Sequence, residues 1–204
     1  MVSLDLPSNH RPMASFRMRT IQTIYQDPLE LIWLRAAADL GWRVERDSEV
    51  FASFDGGGVL RIGDRGTLDP DDSLAQMILH EICHALVEGP TGWSLPDWGL
   101  QYGRAEHALR EHAALRLQAA LASRYGLRQF LAPTTDYREY FEQLPENPLA
   151  GAGDPAIVAA CAGWQRATAP PWAESLAAAL ARTAELARII APLAPPQSLW
   201  STVR

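Results

Sequence analysis

The chain has 204 residues, which is long enough for one well-packed domain and short for two. Its composition, 48% hydrophobic and 21% charged, is ordinary for a globular protein, and no apolar run approaches the roughly 18 residues of a membrane span. The net charge is −6, and the basic residues, all of them arginine, are scattered along the chain, so we expect no nucleic-acid surface and no membrane insertion.

The first part of the chain predicts a loose terminus, a helix and a hairpin. Residues 1–14 have little periodicity and no apolar segment typical of a secretory signal, which favours a cytoplasmic location. After Asp27-Pro28, apolar residues recur at helical spacing until Gly41. Residues 50–54 and 59–62 surround an Asp-Gly-Gly-Gly turn, which predicts a small antiparallel β-sheet.

The next element is a helix that contains the motif His-Glu-Ile-Cys-His. We predict that it runs from about Ser73 to Val87, with Asp71 or Asp72 as its cap. On a helix, His80 and His84 lie only about 40° apart around the axis, so that their imidazoles can bind one metal ion. Glu81 would project beside that ion, where a carboxylate can take a proton from metal-bound water.

A loop rich in glycine, proline and aromatic residues follows from Pro90 to Gly103. Its aromatic residues Trp93, Trp98 and Tyr102 either line a pocket near the metal or fill space beneath the loop.

A second strong helix is predicted from Arg104 to Tyr125, and it has to supply a third metal ligand. We predict Glu111, because it lies on the side of the helix that continues into the apolar stripe and so faces the first helix. Glu106 is closer to the start of the helix, where acidic residues favour the helix dipole. Glu106 and His112 remain the alternative ligands.

The rest of the chain is predicted to be helical with breaks. Helices are expected to begin near residues 135, 155 and 171, the last running to about Ile190. The expected fold is therefore α+β and mostly helical, with a small sheet before the metal helix and a second ligand-bearing helix after it. We expect a single domain over residues 1–204, with a metal-binding core at 15–130 and a C-terminal helical part at 131–204.

The motif from His80 to His84, followed by Glu111 on the next helix, resembles the gluzincin metallopeptidases. This resemblance implies a zincin-like core in which two histidines and one glutamate bind Zn²⁺ and leave a position open for water. It also implies hydrolysis of a peptide or protein substrate with Glu81 as general base. A nearby side chain would stabilise the oxyanion, with Tyr102, Tyr137 and His112 as candidates. We include Tyr102 with Glu81 in the predicted catalytic set.

A longer stretch is similar to the elongation factor P hydroxylase family. The similarity rests on the histidine motif, on Asp97-Trp-Gly-Leu100, and on Glu111 shortly before Gln118-Ala119. Leu100 stands where that family has an aromatic residue. The similarity implies a two-histidine, one-carboxylate metal site that hydroxylates a lysine derivative on a translation factor, and it independently favours Glu111 as the third ligand.

Three functions therefore compete at the level of the sequence. The first is a zinc-dependent hydrolase, and the second is a non-haem iron hydroxylase that uses Fe²⁺ in the same triad. The third is a protein in which a structural ion joins two helices, for which a fourth ligand such as His107 or His112 would close the site. The sequence identifies neither the substrate nor the oligomeric state.

Overall fold

The computed structural model describes residues 22–101, 105–134 and 136–203. Within these residues the fold is α+β and mostly helical, as predicted, with a small three-stranded sheet between the first two helices. The elements are, in chain order, α1 (Pro28–Asp39), β1 (Arg43–Asp47), β2 (Ala52–Phe54), β3 (Val59–Gly63), α2 (Leu74–Glu88), α3 (Ala105–Ser123), α4 (Arg138–Glu142), α5 (Ala156–Ala167) and α6 (Trp172–Ile190).

The sheet is mixed, and the prediction of a purely antiparallel sheet was wrong. Strands β2 and β3 form the expected antiparallel hairpin, but β1 pairs with β3 in parallel, so the strand order is β1-β3-β2. The connection from β1 to β2 crosses the C-terminal end of β3. There Gly63 N–H donates a hydrogen bond to the carbonyl of Phe51. The crossing leaves β2 at the edge of the sheet, on the side that borders the cavity described below.

The helix with the histidine motif begins one residue later than predicted and is capped by a different residue. The side chain of Ser73 accepts a hydrogen bond from Gln76 N–H at 3.1 Å, which is the bond expected of an N-cap. Asp72 instead closes the preceding turn by accepting from Asp69 N–H, and its other oxygen accepts from the hydroxyl of Thr134. The helix ends at Glu88, one residue later than predicted, and is followed by Gly89, whose φ of 71° lies in the left-handed region.

Helix α2 is the central element of the core. It packs against α3, α5 and α1, and residues on every side of it are buried. Helix α5 approaches α3 closely at Gly163, where a Cβ atom would lie 2.8 Å from Leu117 Cδ2. Because α2 is buried all round, its polar side chains are removed from bulk water and need partners within the protein.

The C-terminal helices agree with the prediction except at their beginnings. Helix α4 begins at Arg138, after Tyr137 with a φ of 62°, and no side chain caps it. Residue 135, one of the predicted starting points, lies outside the described residues. None of the described helices combines the length and the apolar composition that crossing a membrane requires.

Candidate metal centre

Helices α2 and α3 bring together the three side chains that the sequence singled out as metal ligands. One ligand atom from each of His80, His84 and Glu111 lies within 4.8 Å of the others. Glu111 Oε2 lies 3.4 Å from His80 Nε2 and 3.3 Å from His84 Nε2, and the two Nε2 atoms are 3.0 Å apart. The three atoms therefore face a common point between the two helices.

The two alternative ligands on α3 lie elsewhere. Glu106 is exposed to solvent one turn before the cluster. The ring of His112 stacks on the ring of Tyr140 at 3.7 Å with an angle of 6° between the planes. Burial lowers the pKa of His112, so that at neutral pH it packs there as a neutral aromatic ring. Neither residue belongs to the cluster that the structure forms.

A buried amide determines which nitrogen of His80 faces the cluster. His80 Nδ1 lies 2.9 Å from Gln118 Oε1, and Gln118 Nε2 donates to the carbonyl of Leu131 at 2.6 Å. Since a carbonyl only accepts hydrogen bonds, the Leu131 contact orients the amide so that its oxygen faces His80. Nδ1 of His80 must then carry a hydrogen, so that Nε2 is the nitrogen with the lone pair whenever the ring is neutral, as it would be when bound to a metal.

This arrangement predicts that Gln118 supports metal binding without touching the metal. Gln118→Met retains the volume of the side chain but removes both hydrogen bonds, so we expect metal affinity to fall by about 10- to 100-fold. Competition with a chromophoric chelator measures the affinity. An unchanged dissociation constant in a folded Gln118→Met protein would contradict the orienting role.

The charges within the cluster favour a cation at its centre. Burial lowers the pKa of His80, but the hydrogen bond to Glu111 and the negative charge of that residue outweigh burial and raise the pKa to about 9. Burial would raise the pKa of Glu111, but His84 and His80 bring it well below its ordinary range. Lone pairs from nitrogen and a carboxylate oxygen thus face one point, where a proton or a metal ion relieves their mutual repulsion. Two imidazoles and one carboxylate suit Zn²⁺ or Fe²⁺.

The second oxygen of the Glu111 carboxylate has its own neighbour. His107, one helical turn earlier on α3, has its Nε2 atom 3.4 Å from Glu111 Oε1. This contact leaves Oε2 as the oxygen directed at the two ligand histidines. His107 therefore flanks the cluster at the Oε1 side of the Glu111 carboxylate.

Glu81 is buried next to the cluster and has an aromatic hydrogen-bond donor. Its side chain is only 8% exposed, and its Oε2 atom accepts a hydrogen bond from Trp98 Nε1 at 3.0 Å. Trp98 is itself buried and stacks on Phe54, with the ring centroids 3.9 Å apart. A buried carboxylate beside a group of metal ligands is the position that a general base requires.

A cavity of about 420 Å³ opens onto the cluster. The three ligand candidates, Glu81 and His107 form one part of its wall. The edge strand contributes Ala52, with Phe51 just before it, and the segment before α4 contributes Tyr137. The space is large enough for several side chains of a substrate, and the cluster can be approached from it.

The sequence prediction of this site is incomplete in three respects. Tyr102, one of three predicted candidates for the oxyanion stabiliser, lies outside the described residues. Trp93 and Trp98 do not line the cavity, so the expectation that aromatic residues fill space under the loop describes them better. Sequence reasoning did not identify Gln118 and Trp98 as partners of His80 and Glu81. The signals available were the two-turn spacing from Glu111 to Gln118 and the clustering of tryptophan just after the motif.

No family model, curated protein or solved structure matches this chain. The function is therefore inferred from the side chains of the site.

Proposed function

We propose that the protein is a metal-dependent hydrolase, most simply a zinc peptidase, in which Glu81 is the general base. The observation that supports this most directly is the buried Glu81 carboxylate, which lies on the same cavity wall as His80, His84 and Glu111. A hydrolase needs both a metal site and a neighbouring base, and these four side chains are the groups to which we assign those roles.

In the proposed reaction, His80, His84 and Glu111 would hold Zn²⁺, which when bound would supply an acidified water and a Lewis acid for the scissile carbonyl. Glu81 Oε2 accepts the hydrogen bond from Trp98, so Oε1 would be the atom that takes the proton from the water. The same atom then donates the proton to the departing amine. Gln118 keeps His80 in the tautomer that such a site requires.

Tyr137 lines the cavity, and we assign it as a candidate to stabilise the oxyanion. Tyr102 remains a candidate from the sequence only. His112 is a poor candidate, because it stacks on Tyr140 and does not line the cavity.

The edge strand supports a peptide or protein as the substrate. Strand β2 borders the cavity through Ala52, and an edge strand can bind an extended peptide through its backbone groups. One of its backbone groups is already used, since Phe54 N–H donates to the carboxylate of Asp97 at 2.8 Å. A peptide would therefore bind alongside residues 51–53. A sheet edge next to the histidine helix and a second helix bearing Glu111 would correspond to a zincin-like core.

Two features favour hydrolysis over the other two functions. A non-haem iron hydroxylase needs the triad but no additional carboxylate base, whereas a buried carboxylate, that of Glu81, lies beside the triad here. A structural ion needs a closed set of ligands, whereas this cluster faces a cavity of about 420 Å³.

The test is to determine the bound metal and the dependence of activity on oxygen. Protein produced with ample zinc and iron is analysed for metal content and incubated with a pool of fluorescence-quenched peptides with and without oxygen. We expect about one zinc per chain and peptide cleavage that does not depend on oxygen. Bound iron with oxygen-dependent modification of a peptide would support the hydroxylase instead, and absence of bound metal would contradict both.

A further inference from the structure

The segment Pro96–Gly99, which we call the strap, has an unusual backbone. Asp97 and Trp98 have φ angles of 45° and 58°, so two consecutive residues other than glycine adopt the left-handed conformation. This conformation costs free energy in residues other than glycine, and it persists only where surrounding contacts enforce it. Such conformations concentrate at functional sites. The unfavourable backbone of the strap therefore points to a functional role for this segment.

The strap is attached to the sheet at two points. Asp97 Oδ1 accepts a hydrogen bond from Phe54 N–H at 2.8 Å, which fixes the strap to the free edge of β2. The ring of Trp98 lies parallel to that of Phe54, with a centroid distance of 3.9 Å and an angle of 10°. Gly92 allows the strap to pass close by, because a Cβ atom there would lie 2.9 Å from the carbonyl oxygen of Trp98.

These contacts place the indole nitrogen of Trp98 next to Glu81, the proposed base. The indole Nε1 of Trp98 donates to Glu81 Oε2 at 3.0 Å, and both side chains are buried. A glutamate side chain has three rotatable bonds, and a rotated carboxylate would leave the water and the substrate out of reach. The bond to the indole restrains one of the two carboxylate oxygens of Glu81, and this residue lines the cavity.

We propose that Trp98 is a positioning residue for Glu81, and that the strained strap exists to hold its indole in place. This role rests on the proposed function, since it matters only if Glu81 moves a proton. Trp98 touches neither metal nor substrate, and its effect on the reaction passes through the Glu81 carboxylate.

The test removes the indole N–H of Trp98 and compares the effect with that of removing another indole N–H that bonds to the same helix. Trp98→Phe retains an aromatic ring against Phe54 but has no donor for Glu81. Trp93→Phe is the control, because Trp93 Nε1 also donates to a group on α2, the carbonyl of Ala85 at 2.7 Å, without contacting Glu81. Both variants lose one indole hydrogen bond to the same helix.

Both variants are loaded with zinc and assayed with a fluorescence-quenched peptide that the parent protein cleaves. We expect Trp98→Phe to lower kcat by about 10- to 100-fold, with little change in KM or zinc content. Trp93→Phe should change kcat by less than about threefold. Should Trp98→Phe not fold, Asp97→Ala takes its place, because it releases the strap from Phe54 and leaves the indole intact. The expected loss then has the same direction.

A binding measurement separates positioning from a general packing defect. Acetohydroxamate is a small zinc chelator that a neighbouring carboxylate base stabilises by accepting its proton, and calorimetry gives its affinity for each zinc-loaded variant. Trp98→Phe should weaken this binding by about tenfold when Glu81 is present and by less than twofold in the Glu81→Gln background. A purely structural role would produce the same loss in both backgrounds.

The outcomes distinguish the two proposals. If zinc does not bind to the parent protein, the proposed function itself is wrong. If zinc binds and Glu81→Gln is inactive while Trp98→Phe and Trp93→Phe behave alike, the hydrolase proposal stands and the positioning role of Trp98 is overturned.

Discussion

Glu81→Gln is expected to retain one zinc per chain and to lower turnover of a cleaved peptide by about 10²- to 10⁴-fold, the range for removal of a general base. The substitution keeps the shape of the side chain, and the amide oxygen can still accept the hydrogen bond from Trp98. What it removes is the ability to take a proton from the metal-bound water. Steady-state rates and metal content, measured on the same preparation, test this expectation.

The control is Glu106→Gln, which replaces an exposed acid on α3 that lies outside the cluster. Its turnover should equal that of the parent protein within about twofold. Full activity of Glu81→Gln would end the assignment of Glu81 as base and would favour chemistry that needs the triad alone.

Glu111→Ala is expected to weaken zinc binding more strongly than the loss of a supporting hydrogen bond does. Loss of such a bond lowers metal affinity by about 10- to 100-fold. The carboxylate is the only anionic member of the cluster, and its Oε2 atom faces both ligand nitrogens. Without it, two imidazoles would remain to bind a divalent cation. A chelator competition assay gives the dissociation constants for the parent and the variant.

Thermal unfolding provides a second measurement of the same expectation. A ligand that binds only the folded state raises the unfolding temperature, and the rise grows with the ratio of its concentration to the dissociation constant. Zinc should therefore stabilise the parent and Glu106→Gln proteins to the same extent, and Glu111→Ala much less. If Glu106→Gln lost the zinc-dependent stabilisation instead, Glu106 would be the third ligand.

The two helices of the site could be predicted because their signals are local. The end of α2 just before Gly89 follows from the residues themselves, and its start was predicted to within one residue. Glu111 was identified because its side of α3 continues into an apolar stripe, and a buried stripe on one helix has to face another. His112 is about 100° away around the same helix, so helix geometry already placed it away from Glu111.

The parts that could not be predicted depend on contacts between residues far apart in the chain. Strand β1 has a sequence of four charged residues around one valine, and nothing local indicates that it pairs in parallel with β3. Gln118 resembles any polar residue in an apolar helix until its partner His80, 38 positions earlier, is known. The strap around Trp98 adopts a conformation that residue preferences disfavour, so local propensity argues against it.

The hydrogen bond from Gln118 to Leu131 has a practical consequence for engineering the cavity. Leu131 is followed two and three residues later by Pro133 and Thr134, which belong to the cavity wall. The wall that would select a substrate and the carbonyl that orients the Gln118 amide thus lie on one short piece of chain. If the site holds the proposed metal, substitutions made there to alter substrate preference are expected to change metal affinity as well, so rates for such variants should be normalised to bound metal.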